Sequence, residues 1–294
     1  MATWTITTEW RDFPGDTRAE GQVFAIGDVH GRADLLDGLL AHIGGLPAPD
    51  AAMPCALVFL GDLIDRGPEN LRAIRLAMGA TLGDRPAIVL PGNHEGMLLD
   101  GLDSPTESGA FHMWYENGGH AVLDEIPTRK AQSIDELRDV LREALPDGFL
   151  EHLRQARSHH GSGDLLFVHA GIVPPALRAK SWCPMEAGGR DAFLAQPLTD
   201  AVHLHWAWIR EPFISWTEGW DDDGRQVVVH GHTVECEAPI EDAEALVRGA
   251  DRVAGKRRIN LDLGAVFFGR LAALEAVEGR YRFHCTVKDR ALAA

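Results

Sequence analysis

The sequence predicts an α/β fold with mixed β-sheets, and two observations lead to that prediction. First, short apolar runs rich in β-branched residues recur along the chain, and each ends in a Gly- or His-rich turn, as buried strands do. Second, helical periodicity follows some of these runs, whereas the carboxyl-terminal part is rich in β-structure. The predicted strands are Val23–Ile26, Ala56–Leu60, Ala87–Leu90, Leu165–Val168, Val227–Val229 and Ile259–Leu263.

The first two of these strands lead into predicted helices. Apolar residues recur there at the three- and four-residue spacing of a helix, and Pro68 stands in the first turn of the second one. Further helices are predicted around Ile134–Leu145, where Ser133 and Glu136 offer a capping box, and around Phe149–Ser158. The apolar sets of the first two helices are Leu35, Leu36, Leu39, Leu40 and Ile43, and Leu71, Ile74 and Met78.

The two ends of the chain depart from this alternation. Arg270–Val277 and Tyr281–Val287, separated by Gly279, are typical of a β-hairpin. Residues 1–20 are polar and poorly periodic, which indicates an arm or an edge strand around Trp4–Thr7. They do not combine a basic region with a following apolar stretch, and no run in the chain approaches about 18 uninterrupted apolar residues. We therefore expect a cytoplasmic protein without membrane association.

The cysteine spacing and the net charge exclude some classes of function. The 294 residues are enough to bury a large core without disulfides, and the four cysteines lie far apart with no CxxC pair, which favours reduced thiols. With 28 Lys and Arg against 44 Asp and Glu, the net charge is −16. This charge argues against stable nucleic-acid binding over a broad surface, and an anionic substrate would need a local positive site.

Polar motifs follow the apolar runs. They are GDVHG at 27–31, GDLIDRG at 61–67, GNHE at 92–95, HAG at 169–171 and HGHT at 230–233. Each motif alone is also typical of an ordinary turn. Together they place Asp, His and Asn at the carboxyl ends of strands, where open α/β sheets build their sites, and these are ligands of borderline-hard metal ions.

In this order, the five motifs resemble those of the phosphoprotein phosphatase (PPP) superfamily of metallophosphoesterases, especially its bacterial serine/threonine phosphatase branch. The match covers roughly residues 22–277. WYENGG at 114–119, WIREPF at 208–213 and INLDLGA at 259–265 resemble that branch's WLxNGG, WIRxxF and INxDTGA, with Leu263 in place of the Thr. The resemblance implies a single calcineurin-like domain over residues 21–290, with two mixed β-sheets sandwiched between helices (α/β/β/α) and the active site at strand ends.

The resemblance also implies a centre of two divalent ions. Manganese is the expected metal, and Fe, Zn²⁺ or Co²⁺ would also suit a donor set of carboxylate, imidazole and amide without thiolate. Two such ions would give the cleft a local positive charge despite the net charge of −16. The implied ligands are Asp28 and His30 for the first ion, Asp62 bridging both, and Asn93, His169 and His232 for the second.

For catalysis, the resemblance implies direct attack on the phosphate by a metal-bridging hydroxide. His94 would be the general acid that protonates the leaving group, and Asp65 would orient it. Arg66 and Arg210 would bind the phosphate oxygens together with Asn93 and His94. His230 lies next to the predicted ligand His232 in the HGHT motif and is expected to be structural.

Three functions remain open. The first is hydrolysis of phosphoserine and phosphothreonine in proteins or peptides, which GNHE and the full GDLIDRG favour over the GNHD common among dinucleoside tetraphosphatases. The second is that tetraphosphatase activity, or action on another small phosphorylated metabolite. Four tryptophans could stack on an adenine: Trp114, Trp182, Trp206 and Trp216. The third is a catalytically silent scaffold that binds phosphorylated partners. Long loops at 172–207 and 234–256 are expected to carry substrate choice, and the oligomeric state stays open.

Overall fold

The computed structural model describes residues 3–47, 53–127, 131–178, 189–200, 202–221 and 223–288. Its strands are β1 (Thr3–Thr7), β2 (Arg11–Asp12), β3 (Gln22–Ile26), β4 (Cys55–Phe59), β5 (Thr81–Leu82), β6 (Arg85–Pro86), β7 (Ile88–Val89), β8 (His159–Ser162), β9 (Leu165–Val168), β10 (Val227–His230), β11 (Asp251–Arg252), β12 (Arg258–Asn260), β13 (Arg270–Val277) and β14 (Arg280–Lys288).

The helices alternate with these strands over much of the chain. Short 3₁₀ and π-helical turns occupy Thr106–Ser108 and Tyr115–Gly119. The α-helices are α1 (Ala33–Gly44), α2 (Asn70–Gly79), α3 (Asn93–Asp103), α4 (Ala110–Trp114), α5 (His120–Leu123), α6 (Ile134–Ala144), α7 (Phe149–Gln155), α8 (Pro175–Arg178), α9 (Gly189–Leu194), α10 (Ala243–Ala250), α11 (Val253–Lys256) and α12 (Ala265–Phe268).

Two mixed sheets form the centre of the molecule. The first has the strand order β1-β14-β13-β3-β4-β7, with β2 paired to β14, and the second has the order β11-β12-β10-β9-β8. In the first sheet β3, β4 and β7 are parallel, and in the second β9, β10 and β12 are parallel. The strands of each parallel set therefore end at the same edge of their sheet.

The central strand β3 of the first sheet buries both of its faces. In β3, Val23 and Ala25 pack in the same apolar cluster as Leu165 and Phe167 of the second sheet, whereas Phe24 and Ile26 pack against the helices α1 to α7. This alternation follows the two-residue period of a strand. The apolar contact between the sheets fixes their relative position, and with it the position of the loops that follow their strands.

The outer face of the second sheet has its own cover. Leu166 and Val228 pack there against large side chains of the segment 189–220. The aromatic members of this cluster are Phe193, Trp206, Phe213 and Trp220. With helices over the first sheet and this segment over the second, the arrangement confirms the predicted fold class of two mixed sheets enclosed on both sides.

The predicted elements agree with the observed ones most closely where apolar runs are continuous. The predicted strand Leu165–Val168 is β9 itself, and Ser133 caps α6 by accepting from the backbone N–H of Glu136. Three predicted elements are shorter by two or more residues in the structure: the strands that became β7 and β12, and the helix α7. The chain turns early after β12 because the side chain of Asn260 accepts from the backbone N–H of Asp262.

The two segments interpreted as long loops contain helices. The range 172–207 includes α8 and α9, and the range 234–256 includes α10 and α11. Asp242 caps α10 by accepting from the backbone N–H of Ala245 at 2.8 Å. An Asp side chain is a common N-cap, but the Ala- and Gly-rich sequence after it does not show a clear helical period. Leu246 is buried on the apolar face of this helix.

At the chain's start, β1 lies at the edge of the first sheet and pairs antiparallel with β14. Cys55, Cys236 and Cys285 are free, and Cys183 lies outside the described residues. Among the helices that the structure describes, none has the length and apolarity needed to cross a membrane.

Candidate metal centre

The predicted ligands converge where the two sheets end. Asp28, Asp62 and Asn93 follow β3, β4 and β7 of the first sheet, and His169 and His232 follow β9 and β10 of the second. All five side chains are buried. Because the two sheets pack together with these strand ends side by side, residues up to 204 positions apart in the chain reach one another, as in the 2.9 Å bond from the backbone N–H of His232 to Asp28.

Asp62 lies between two groups of potential ligands. Its Oδ2 is 3.6 Å from Nε2 of His30, and its Oδ1 is 3.4 Å from Nε2 of His169. The structure contains two clusters whose donor atoms lie within 4.8 Å of one another, and Asp62 belongs to both. The clusters are His30, Asp62 and His94, and Asp62, His169 and His232. One carboxylate is therefore placed to be shared by two cations.

On the side of the second predicted ion, acceptor atoms face one another. His169 Nδ1 donates to the carbonyl of Leu60 at 2.9 Å, which leaves the lone pair of Nε2 directed 3.0 Å from Asn93 Oδ1. The same oxygen lies 2.8 Å from Nδ1 of His232, whose Nε2 is buried and has no hydrogen-bond partner within the described chain. Burial lowers the pKa of both histidines, which favours the neutral form that binds a metal ion. A cation among these atoms would satisfy them together.

Acceptor atoms also come together on the side of the first predicted ion. His30 Nδ1 donates to the carbonyl of Ile64, so its Nε2 presents a lone pair, which accepts from Arg66 Nη1 at 2.9 Å. Oδ1 of Asp28 is buried without a hydrogen-bond partner in the described part of the chain. Burial, and then the charges of Asp262 and Asp62, raise the pKa of Asp28 well above its usual range. This excess of negative charge is what divalent cations would neutralise, so the residues present fit two such ions.

The loops that carry these groups are strained. Among the described residues, seven other than glycine have positive φ, and five of these belong to the site: His30, Asp62, Asp65, Arg66 and His232. Each such conformation costs about 1–3 kcal/mol and persists only where its surroundings impose it. Here the backbone N–H groups of Val29 and His30 both donate to the carbonyl of Asp62, which joins the first loop to the second.

Glu95 anchors the loop of Asp62, a role that the sequence analysis missed. Its buried carboxylate accepts from the backbone N–H groups of Gly92, Asp62 and Leu63, each at 2.8 Å. Burial, and then the charge of Asp62, raise the pKa of Glu95 to about 7. A side chain at Gly92 would place its Cβ 2.1 Å from Asp62 Oδ1, so the close approach requires glycine. The available signal was the spacing of a capping box at the start of α3.

His94 and Asp65 form a buried pair beside Asp62. Nδ1 of His94 donates to Asp65 at 2.7 Å, and Trp114 Nε1 donates to the other oxygen of Asp65 at 3.1 Å. Burial alone would lower the pKa of His94, but the charge of Asp62, the hydrogen bond that His94 donates to Asp65 and the charge of Asp65 raise it. The backbone N–H of Arg66, the residue after Asp65, donates to the carbonyl of Gly118. Trp114 and Gly118 of the WYENGG motif thus hold Asp65 and Arg66, two consecutive residues of the same turn.

Arg66 and Arg210 are exposed and line one cleft over the predicted ligands. His30, His232 and Asp262 lie in the same cleft. The arrangement concentrates positive charge above a buried carboxylate cluster, in a chain whose net charge is −16. It can receive an anion such as a phosphate group.

A buried ion pair lies behind this cleft. Arg258, which is fully buried, pairs with Glu235 at 2.7 Å and donates to His230 Nε2 at 3.0 Å and to the carbonyl of Ile214 at 3.2 Å. It thereby connects the segment that carries Arg210 to the loop after β10. The structural interpretation of His230 agrees with these contacts.

Of the four tryptophans proposed as stacking platforms, the three in the described part of the chain do not line the cleft. Trp114 and Trp206 are buried and donate to Asp65 and to the carbonyl of Gln196, and the half-buried Trp216 donates to Gly219. Trp182 lies outside the described residues. The aromatic side chain on the cleft is Phe267, which is 62% exposed and lies under the Arg66 guanidinium at 5.9 Å. Sequence reasoning missed it because nothing in the motif shows which of two adjacent phenylalanines is exposed.

The geometry agrees with what the chain resembles in sequence. Residues 21–236 match the family model of the calcineurin-like phosphoesterases. The chain belongs to this family and is a metallophosphoesterase, a class of hydrolase that uses divalent metal ions. The expectation of a calcineurin-like metallophosphoesterase domain is thereby confirmed.

Among the chain's relatives are proteins named for two substrates. It is 35% identical over 156 residues to a symmetrical bis(5'-nucleosyl)-tetraphosphatase of Acidovorax ebreus, which covers 52% of this chain and 44% of that protein. It is 37% identical over 115 residues to serine/threonine-protein phosphatase 2 of Salmonella typhimurium, covering 39% of this chain and 46% of that protein. These two matches span less than half of each relative's length.

A third relative matches over most of the chain. The asymmetrical bis(5'-nucleosyl)-tetraphosphatase PrpE of Bacillus thuringiensis is 27% identical over 259 residues, which is 86% of this chain and 89% of that protein.

The role of Glu95 in holding the Asp62 loop leads to a prediction. Glu95→Gln replaces one accepting oxygen by an amide that cannot accept, so the N–H groups it served lose a partner and Asp62 loses its fixed position. We expect divalent-metal affinity to fall by about 10- to 100-fold, measured by calorimetric titration of the metal-free protein with Mn²⁺.

Glu125→Gln is the matched control. Glu125 accepts from the backbone N–H groups of Asn70 and Leu71 at the start of α2, so the change removes comparable bonds away from Asp62. Equal Mn²⁺ affinity in the two variants would show that Glu95 does not position the metal ligands.

Proposed function

We propose that this protein is a phosphomonoesterase of the serine/threonine protein phosphatase type, with phosphorylated proteins or peptides as its substrates. The observation that carries the proposal is the buried pair of His94 and Asp65, joined at 2.7 Å beside Asp62. The alkoxide that leaves from a phosphoserine or phosphothreonine is a strong base and needs a proton as it departs. A histidine whose pKa is raised by neighbouring carboxylates can supply that proton.

We propose that two divalent metal ions bind as the motifs imply, with Mn²⁺ as the preferred metal. Asp28 and His30 would hold one ion, Asp62 both, and Asn93, His169 and His232 the other. When bound, two divalent ions supply a lowered pKa for coordinated water and positive charge against the phosphate. The lone pairs of the three histidines and the unpartnered oxygen of Asp28 support this assignment.

The remaining roles fall to groups at the mouth of the site. Arg66 and Arg210 would bind the phosphate oxygens, because both guanidinium groups line the cleft and can each donate twice. Asn93 and His94 would complete the phosphate site from the buried side. Asp65 would keep the reactive proton of His94 on Nε2 by accepting from Nδ1.

A second candidate is hydrolysis of dinucleoside tetraphosphates. The match to the asymmetrical tetraphosphatase PrpE over 86% of this chain favours it. Phe267 also favours it, since an exposed aromatic ring beside the phosphate-binding Arg66 can stack on a nucleobase. The leaving group of that reaction is a nucleotide, which departs with much less need of a general acid, and the His94 pair is the feature that this candidate does not require.

The general-acid role predicts a dependence on the leaving group. His94→Asn removes the proton donor, so turnover of alkyl phosphates such as a phosphoserine peptide should fall by about 10²- to 10⁴-fold. An aryl phosphate such as p-nitrophenyl phosphate, whose leaving group needs no proton, should lose much less. Steady-state kcat on the two substrates measures the difference.

Asp65→Asn serves as a control on the orienting carboxylate. Without that charge the pKa of His94 falls, so the alkaline limb of the kcat profile should move to lower pH. Equal losses on the alkyl and aryl substrates, with an unmoved alkaline limb, would argue against an acid role for His94.

The substrate itself is tested by a side-by-side assay after reconstitution with Mn²⁺. Phosphate release from phosphoserine and phosphothreonine peptides is compared with cleavage of diadenosine tetraphosphate. We expect kcat/KM to be at least tenfold higher for the peptides. A higher value for the dinucleotide would reverse the order of the two candidates, and binding of phosphopeptide without turnover would reject both.

A further inference from the structure

A second imidazole cluster lies outside the metal centre, where β1, α1 and β14 meet. Nε2 of His42 is 3.0 Å from Nδ1 of His284. Thr7 Oγ1 lies 3.1 Å from the His284 nitrogen and 3.3 Å from the His42 nitrogen. Three donor atoms from three separate elements thus form a nearly equilateral triangle, and Thr7 is exposed to solvent at one of its corners.

The three corners of this triangle can each present a lone pair to one point. Nε2 of His284 is 3.1 Å from the carboxylate of Glu275, which only accepts, so His284 donates there and the neutral ring has its lone pair on Nδ1. Burial, and then the neighbouring His284, lower the pKa of His42, which favours its neutral imidazole. With its proton on Nδ1, that imidazole offers the lone pair of Nε2. The Thr7 hydroxyl accepts as well as donates, so its oxygen can also direct a lone pair toward the two nitrogens.

The imidazole of His284 is held in place from behind. Glu275 is buried and accepts from Arg282 at 2.6 Å and from Gln22 at 2.7 Å, in addition to the contact with His284. The positive charge of Arg282 is thereby paired. A carboxylate behind a histidine, with the other ring nitrogen directed at an open position, is the arrangement that orients histidine ligands in metal sites.

The position of His42 is fixed by the packing of α1. A side chain on Gly38 would place its Cβ 2.9 Å from Thr3 Oγ1 and 3.2 Å from Thr286, so glycine lets the helix lie directly on β1 and β14. His42 follows Gly38 by four residues and therefore lies on the same face of α1. The helix brings its imidazole to the two strands without needing a metal to do so.

We propose that Thr7, His42 and His284 bind one divalent transition-metal ion of the zinc class, separately from the Asp62 centre. An ion with bonds of about 2.0–2.1 Å in tetrahedral geometry requires donor atoms roughly 3.3 Å apart, close to the three distances observed. Two imidazole nitrogens favour Zn²⁺, Ni²⁺, Co²⁺ or Cu²⁺ over Mn²⁺ or Mg²⁺. Water would complete the coordination on the solvent side. The ion would fasten the edge strand β1 to α1 and β14.

The experiment counts total metal rather than activity. Wild type, His42→Ala and the control His112→Ala are saturated with Mn²⁺, dialysed against Zn²⁺, and analysed for both metals by mass spectrometry. His112 is an exposed histidine of α4. Exchange of Mn²⁺ for Zn²⁺ at the Asp62 centre leaves the total unchanged, so the result does not depend on the proposed catalytic function.

We expect wild type and His112→Ala to hold one more ion per chain than His42→Ala, and Zn²⁺ to raise their melting temperature by more than that of His42→Ala. Equal totals in all three proteins would overturn the proposal. Mn²⁺-dependent hydrolysis of p-nitrophenyl phosphate verifies that each variant is folded. Thr7→Ala, at an exposed position, is the second variant. It should bind the additional Zn²⁺ several-fold more weakly, and unchanged affinity in both Thr7→Ala and His42→Gln would also overturn the site.

Discussion

The carboxylate of Asp62 is the constraint on which the rest of this site depends. It is buried among His30, His94 and His169, at a positive φ, and within reach of both clusters of potential ligands. Burial alone would raise its pKa, but the surrounding imidazoles lower it below the usual range, so the group stays ionised. A charge in this position is stable only where cations or fixed dipoles balance it. Glu95 and the loop after β3 hold the backbone of Asp62, and the cleft arginines add positive charge above it.

The packing of the two sheets brings the groups that balance the charge of Asp62 close to it. Phe167 and its neighbours between the sheets set the distance from the ends of β3 and β4 to those of β9 and β10. The loops that follow can then be strained, because their ends are fixed by a rigid apolar core. The ion pair of Arg258 and Glu235 fixes the cleft in a similar way, since it joins the Arg210 segment to the loop after β10. Substrate choice would then rest on the cleft rim, where Phe267 is exposed.

Much of this arrangement could be predicted from the sequence, and the exceptions have physical reasons. Continuous apolar runs such as Leu165–Val168 predicted buried strands, and the polar motifs after them predicted where ligands gather. The helices α8, α9 and α11 were not predicted because they span only four to six residues, and α10 was not predicted because its Ala and Gly residues obscure the apolar period. Glu95 was missed because it acts on backbone N–H groups of another loop, which no motif displays. Trp114 was misassigned because a sequence does not show whether an indole faces solvent or a buried carboxylate.

Metal content and turnover of Asp62→Asn, compared with wild type, would decide whether one carboxylate unites the two halves of this centre. The change is isosteric but removes the charge that both clusters share. With Asp62 as the bridge, Asp62→Asn should hold fewer than two divalent ions per chain at the Mn²⁺ concentration that saturates wild type, and its hydrolysis of p-nitrophenyl phosphate should be lost. Retention of two ions at this centre together with most of the turnover would contradict a bridging role for Asp62.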